Sequence, residues 1–211
     1  MNVSDTDRSG PATAAGGRLR NQRADAQRNR IAILAATPVA LRKNPDASVA
    51  DIAAEAGVGR MTLYGHFRTR AELIEAAVIE SLDRGDAVLS EVPLDGDPAG
   101  ALTRLIASSW NLVDQSRWLL AAAQKELSAA RVRELHQKAE ARMRGLLERG
   151  QREGAFRCDL PVSWLLTTAH VVMNAAADEV TAHRVDPRDA PHYINAVLQP
   201  AFTPAEKKEQ S

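Results

Sequence analysis

The stretch SVADIAAEAGVGRMTLYGHFRTRAEL at residues 48–73 restricts the fold of this chain more than any other. Ser48 suits the cap of a helix N-terminus, and apolar residues then recur at helical spacing. Gly57 ends that helix, because glycine adopts the left-handed conformation at the least cost. A second short helix follows at 60–66, and the small Ala53 lets two steeply crossing helices approach closely. The stretch therefore predicts a helix-turn-helix, whose second helix enters the DNA major groove.

The segment AGVGRMTLYGHFRTRAEL resembles the signature of TetR-type transcription regulators, in which a Gly-Val turn precedes a Thr-Leu-Tyr-x-His-Phe core. The resemblance is close over residues 28–75 and looser over the whole chain. Gly59 departs from the pattern, because the family usually has a Ser or Thr that caps the recognition helix. Arg70 replaces the usual Lys and keeps its charge. The resemblance implies an all-α fold of about nine helices, with an N-terminal three-helix DNA-binding domain and a C-terminal helical domain for ligand binding and dimerisation.

Composition and periodicity divide the chain into segments. Aromatic residues make up only 4% while Ala and Leu abound, which favours helices. The pattern predicts a first helix over 24–44 with a kink or early break near 35–38, because Pro38 removes a backbone hydrogen bond. It also predicts a helix over 98–115 and a separate short element around 117–127. We expect four segments: a disordered basic arm at 1–23, the helix-turn-helix DNA-binding domain at 24–75 with its motif at about 48–67, the helical ligand-binding and dimerisation domain at 76–202, and a disordered tail at 203–211.

The formal net charge of zero conceals an uneven distribution. Residues 18–70 hold ten basic against four acidic residues, so the rest of the chain is acidic. A basic segment joined to an acidic remainder indicates that one region meets a polyanion. Arg18, Arg20 and Arg23 are candidates for reaching an adjacent minor groove, and a tail without a role is the alternative.

Several classes of protein are excluded by what the sequence lacks. The only cysteine, Cys158, excludes an intramolecular disulfide and fits a reducing compartment. No run approaches the roughly 18 apolar residues of a membrane span, and the N-terminus has no apolar signal core. The five histidines are scattered without ligand spacing, and no phosphate loop or dinucleotide fingerprint occurs. We expect a cytoplasmic protein that is not an enzyme and uses no cofactor or metal.

The DNA contacts implied by the resemblance come from the motif and from the start of the next helix: Ser48, Arg60, Met61, Thr62, Tyr64, Gly65, His66 and Arg70. Arg60 and Met61 lie in the first helical turn, where side chains meet base edges, and arginine suits guanine. Thr62, Tyr64 and His66 fall on the family core, which implies that they hold phosphates, with a base methyl group as a further contact for Thr62. For Tyr64 and His66 the alternative is that their rings pack within the domain. Ser48 and Arg70, which lie at helix starts, are expected to bind backbone phosphates.

The second domain carries two further predictions. Residues 160–182 are apolar nearly all round, so this helix must be covered on two sides. We expect it to pair with the last helix in a homodimeric four-helix bundle, with an interface of Leu165, Val171, Val172, Ala176, Val180, Ile194 and Leu198. The residues expected to line a small-molecule pocket, each of which is alternatively core or interface, are Trp110, Trp118, Gln124, Met143, Trp164, His170, Met173 and Asn174.

Together these features predict a sequence-specific DNA-binding regulator of transcription. We expect a homodimeric repressor that binds a near-palindromic double-stranded operator and is released by a small, largely apolar effector. An activator of the same fold, or a regulator that ignores small molecules, is the alternative. A helical interaction protein without DNA binding, or an enzyme built on the second domain, is a third hypothesis.

Overall fold

The computed structural model describes residues 12–204, apart from the side chains of residues 12–21, 138 and 139. This part of the chain contains helices and no strand, which confirms the all-α prediction. Its eight helices are α1 (Ala12–Lys43), α2 (Val49–Glu55), α3 (Arg60–His66), α4 (Arg70–Ser90), α5 (Pro98–Glu126), α6 (Ala129–Arg152), α7 (Val162–Thr181) and α8 (Ala190–Phe202).

Several predicted boundaries change. The helix α1 begins at Ala12, so residues 12–23 of the predicted disordered arm are helical, and residues 1–11 lie outside the described residues. Strong helix formers such as Ala, Arg and Gln dominate this stretch. The expected helix and separate short element after residue 98 form the single helix α5, because no helix-breaking residue separates them. Of the predicted tail, residues 203 and 204 are non-helical, and the rest lies outside the described residues.

The helix α1 continues through Pro38, so the expected early break is absent. Thr37 is fully buried, and its hydroxyl donates a hydrogen bond to the carbonyl of Ile33, 2.8 Å away. Ala40 and Leu41 beyond the proline are also buried. We attribute the continuity to this packing on both sides, which offsets the roughly 3 kcal/mol penalty of an internal proline.

The helix-turn-helix forms through the local signals expected of it. The Ser48 hydroxyl accepts a hydrogen bond from the Asp51 amide at 3.2 Å, and the Asp51 carboxylate accepts one from the Ser48 amide at 2.7 Å. This reciprocal capping box starts α2. Gly57 has a φ of 67°, as the turn requires. Gly59 precedes α3 without a side-chain cap, as its departure from the family pattern predicts.

The first hydrophobic core joins the DNA-binding domain to the C-terminal end of α5. Its fully buried side chains include Ile52, Leu63 and Phe67 of the motif. Leu119 and Ala122 of α5 belong to the same core, although both lie beyond the predicted boundary at residue 75. The recognition helix therefore rests on a body that includes the second domain.

The second core lies among α5, α6, α7 and α8. Its largest members are Trp110, Phe156 and Phe202, which are each about 2% exposed or less. The rings of Phe156 and Phe202 meet edge to face, with their centroids 6.3 Å apart. Two separate cores thus stabilise the chain, and α5 contributes to both.

Candidate nucleic-acid interface

The recognition helix α3 has one buried side and one exposed side. Leu63 is its buried anchor and is 1% exposed. Arg60, Met61 and Thr62 form the first turn, and all three are exposed. Met61 is 81% exposed, the highest value among the exposed large apolar side chains of the described residues. An apolar residue held in solvent by a well-anchored helix is suited to contact a partner surface, such as the methyl group of thymine.

The two rings at the end of the motif lie between solvent and core. Tyr64 is half-buried and packs against the first core, while the Arg60 guanidinium lies 5.6 Å from its ring centroid. His66 is also half-buried, and its ring centroid is 6.4 Å from that of Phe67. Gly65 is exposed, and a Cβ built on it meets no atom within 4 Å. The packing alternative thus holds for part of each ring, and their predicted phosphate contacts remain predictions.

Arg70 is held by contacts within the protein, although it also lines an open groove with Arg60 and Tyr64, so its expected phosphate contact remains a prediction. Its Nε donates a 2.8 Å hydrogen bond to Glu126, and its Nη1 donates to the carbonyl of Ala47. Its side chain is 25% exposed. The residue therefore ties the start of α4 to the end of α5 and to the loop before α2. The sequence pattern missed this role because both partners come from other parts of the chain.

Arg68 is a further exposed cation close to the recognition helix. It lies two residues after α3, it is exposed, and its guanidinium forms no ion pair with another described residue. The charge count included this side chain, but the motif did not single it out. Its position two residues after the recognition helix was the sequence feature that could have identified it as a candidate DNA contact.

Ser48 is committed to the capping box, yet it borders an open groove of about 500 Å³ beside α3. The groove is also lined by Arg60 and Tyr64 on one side and by Lys125 on the other. The hydroxyl and the amide of Ser48 both bond the Asp51 carboxylate, which holds the pKa of Asp51 below its ordinary value. The phosphate contact predicted for Ser48 remains a prediction.

Comparison with known proteins connects this interface to a family. The family model of bacterial regulatory proteins, tetR family, matches residues 33–77, which include α2 and α3. The transcriptional repressor KstR2 from Rhodococcus jostii is 28% identical over 192 residues, which cover 84% of this chain and 92% of that protein. The chain is a TetR-type transcriptional regulator.

Two further similarities support the assignment. The repressor LfrR from Mycolicibacterium smegmatis is 36% identical over 87 residues, which cover 41% of this chain and only 46% of that protein. The crystal structure of LfrR in complex with proflavine matches with a TM-score of 0.66 at 22% identity, covering 81% of this chain and 95% of the other. That likeness shows a shared fold. The relatives are transcriptional regulators, which confirms that this TetR-type regulator is a DNA-binding protein and not an enzyme.

The residues predicted to line a pocket do not converge on one cavity. The structure separates them as follows: Trp110 and Met173 are buried in the second core with Met143 packed against it, Trp118 packs against the first core, and Gln124, Trp164 and Asn174 are exposed. A single pocket lined by all eight is therefore wrong, because the two cores divide the set. The subset at the second core, where α5, α6 and α7 meet, remains a predicted ligand site.

His170 belongs to a polar cluster between α6 and α7. Its Nδ1 lies 3.7 Å from the Glu140 carboxylate, and the Nδ1 of His136 lies 2.9 Å from the carbonyl oxygen of Val132. Burial lowers the pKa of His170, and the nearby His136 lowers it further, while Glu140 opposes the shift. Among the described residues no group of three or more His, Cys, Asp or Glu could hold a metal ion, and no helix is long and apolar enough to cross a membrane.

Three residues of the predicted dimer interface point into the core of their own chain, so this part of the prediction is wrong. Leu165, Ile194 and Leu198 are at most 1% exposed, because they pack into the second core. Val172, Ala176 and Val180 are half-buried against the same core, while Val171 is 61% exposed. The outward side of the α7–α8 hairpin, which we call the hairpin face, carries Trp164, Val171, Tyr193 and Val197, exposed by 58, 61, 49 and 52%.

Proposed function

We propose that this regulator is a homodimeric repressor that holds a near-palindromic operator and releases it when a small, largely apolar ligand binds. The observation that carries the proposal is the first turn of α3, where Met61 is 81% exposed beside exposed Arg60 and Thr62. The relatives LfrR and KstR2 are both named transcriptional repressors, which supports repression over activation. A cytoplasmic location follows from a chromosomal partner and is part of the proposal.

DNA recognition is divided between base edges and phosphates. Arg60, Met61 and Thr62 meet base edges in the major groove, because the first turn of a recognition helix enters it most deeply. Arg68 and the exposed edge of Tyr64 bind phosphates on the flanking backbone. Only the first set carries sequence preference, since phosphates are the same at every site.

Operator binding by purified variants tests this division. Arg60→Ala is expected to lose roughly 1–3 kcal/mol at the operator and to relax its preference at one position. Arg68→Ala is expected to weaken all sequences about equally and to reduce the salt slope by about 1. Arg152→Ala is the control, because Arg152 is an exposed residue at the end of α6. If the wild-type protein binds no genomic site better than random duplex, specific recognition is wrong.

The homodimer forms by pairing the hairpin face with its copy. Four large apolar side chains that are about half exposed on one surface favour a self-complementary interface across a two-fold axis. Two α7–α8 hairpins then make a four-helix bundle, and the paired α3 helices meet half-sites roughly 34–36 Å apart.

Sedimentation of matched valine variants tests the dimer. Val171→Asp is expected to give monomers, because the charge would be buried without a partner. Val88→Asp is the control, since Val88 on α4 is 49% exposed and lies outside the hairpin face. The dimer is refuted if the wild-type protein sediments as a monomer at micromolar concentration, or if both variants dissociate equally.

Ligand release acts through α4, which is separated from the recognition helix by three residues and packs on α5 and α6. A ligand at the second core, near Trp110, Met143 and Met173, shifts α4 only through different affinities for the two arrangements. A change in occupancy from 99:1 to 1:99 requires about 5.5 kcal/mol. The LfrR complex with proflavine supports a small-molecule effector.

Tryptophan emission and operator binding, followed together, test the release. A ligand at the second core is expected to quench Trp110 while lowering operator affinity. A compound that saturates the emission change but leaves operator affinity unaltered would separate the pocket from the release and contradict the coupling. Reporter output with and without the protein distinguishes a repressor from the alternative activator. Footprinting on the DNA upstream of the gene for this protein tests the third hypothesis, a helical interaction protein without DNA binding or an enzyme built on the second domain.

A further inference from the structure

A groove of about 530 Å³ is lined by Asp86 in the C-terminal half of α4, by Leu94 in the loop that follows and by residues 141–149 of α6. It contains none of the residues predicted to line the ligand pocket. Leu94, Gly145 and Leu146 form most of an apolar wall, and a Cβ built on Gly145 meets no atom within 4 Å. Sites for small molecules have volumes of about 300–1,000 Å³ and mainly apolar walls with a few fixed polar groups. The groove has both properties.

Arg142 supplies the polar group that distinguishes this groove. Its Nε is buried and has no hydrogen-bond partner among the described residues. Its Nη2 lies 3.6 Å from the nearest oxygen of Asp86 on α4, which is an ion pair but longer than a hydrogen bond. A buried charged donor without an acceptor is unfavourable. The Nε and Nη groups of one arginine together match the two oxygens of a carboxylate.

Arg149 has a different role at the other end of the groove. Its guanidinium donates to the carbonyls of Leu94 and Gly96, and it lies 3.5 Å from the carboxylate of Glu153. These bonds hold the loop between α4 and α5 against α6. Arg149 therefore shapes the wall and adds positive charge, while Arg142 retains an unused donor.

We propose that this groove binds a small amphipathic carboxylate. When the guanidinium of Arg142 turns from Asp86 into the groove, the carboxylate accepts hydrogen bonds from its Nε and one Nη, and the hydrocarbon chain lies along Leu94, Gly145 and Leu146. A carboxylate that takes Arg142 away from Asp86 removes a link between α6 and α4. The binding does not depend on the proposed release mechanism, but its effect on DNA rests on that proposed function.

Calorimetric titration of the full chain with octanoate and with 1-octanol tests the binding. The wild-type protein is expected to bind octanoate at least tenfold more tightly than the alcohol, because only the anion pairs with the guanidinium. Arg142→Gln is expected to weaken octanoate about tenfold or more while changing 1-octanol about twofold at most. Arg144→Gln is the control, because Arg144 pairs with Glu140 and does not line the groove.

Substitutions at Gly145 test the location independently. Gly145→Phe is expected to weaken both compounds at least tenfold by filling the groove, whereas Gly145→Ala leaves them within about twofold. Circular dichroism checks that each variant folds. If Arg142→Gln does not fold, the proposal is tested by the two Gly145 variants and by the preference of the wild-type protein for octanoate over 1-octanol. The proposal is overturned if the wild-type protein does not bind octanoate at millimolar concentration, or if octanoate binds Gly145→Phe as well as wild type.

Operator affinity measured with and without octanoate separates this proposal from the proposed function. Octanoate binding that is lost in Gly145→Phe, together with an unchanged wild-type operator affinity, supports the groove and contradicts its link to DNA. Octanoate that lowers operator affinity equally in wild type and Gly145→Phe acts from another site, which supports ligand release but overturns the groove.

Discussion

The same substitution at two glycines of α6 is expected to change stability in opposite directions. A Cβ at Gly150 would lie 2.1 Å from the Cδ2 and 2.9 Å from the Cγ of Phe156, whereas a Cβ at Gly145 meets nothing within 4 Å. Phe156 cannot simply swing away. It is 2% exposed, and the amides of Ala155 and Phe156 both donate to the Gly150 carbonyl, at 2.9 and 3.0 Å. The ring and its backbone are thus held against the site of the new methyl group.

The magnitudes decide the sign at each position. Alanine is a better helix former than glycine by about 0.8–1.0 kcal/mol, and Gly145→Ala should gain most of this. Overpacking a core typically costs about 1–3 kcal/mol, so Gly150→Ala should lose roughly 1–2 kcal/mol after its smaller gain near the helix end. The difference of roughly 2–3 kcal/mol corresponds to about 4–12 °C in Tm for a chain of this size.

Thermal and urea unfolding of both variants, at one fixed protein concentration, measure the difference. Fixed concentration matters because dimerisation would make Tm depend on it. Gly145→Ala should melt slightly above wild type, and Gly150→Ala clearly below it. A Gly150→Ala protein at least as stable as Gly145→Ala would refute the packing assigned to Phe156.

Three further perturbations address caps, charges and the domain junction. Ser48→Ala should lower stability by about 1 kcal/mol by removing the cap of α2, and an unchanged Tm would contradict the capping box. The Arg188 guanidinium lowers the pKa of Asp186 to about 2 from its ordinary 3.8. The stabilisation from this pair is therefore complete above the ordinary pKa and is lost as the pH falls toward 2. In an NMR titration Arg188→Ala should return the Asp186 pKa toward 3.8, and a value still near 2 would assign the shift elsewhere. Arg70→Ala should lower stability by breaking its pair with Glu126 but leave the salt slope of operator binding unchanged. A slope reduced by about 1 would show that Arg70 contacts a phosphate.

The helix-turn-helix could be predicted from the sequence because its signals are local. A capping serine, a left-handed glycine and a short apolar repeat each act within a few residues, and the structure contains the expected cap at Ser48 and turn at Gly57. The all-α class follows in the same way from helix-forming composition. The surface of α3 was predictable too, because the anchor Leu63 determines which side of a seven-residue helix faces the solvent.

Only the tertiary structure decided which partner each ambiguous side chain meets. Helical spacing identified α7 as apolar on two sides, but α5, α6 and α8 determine that Leu165 packs inward while Val171 faces out. Arg70 has the same charge whether it meets a phosphate or Glu126, and the choice depends on where the end of α5 lies. Periodicity along the chain reports which residues are apolar or charged. The neighbours that cover or pair with them come from segments far away in sequence, so packing alone determined these contacts.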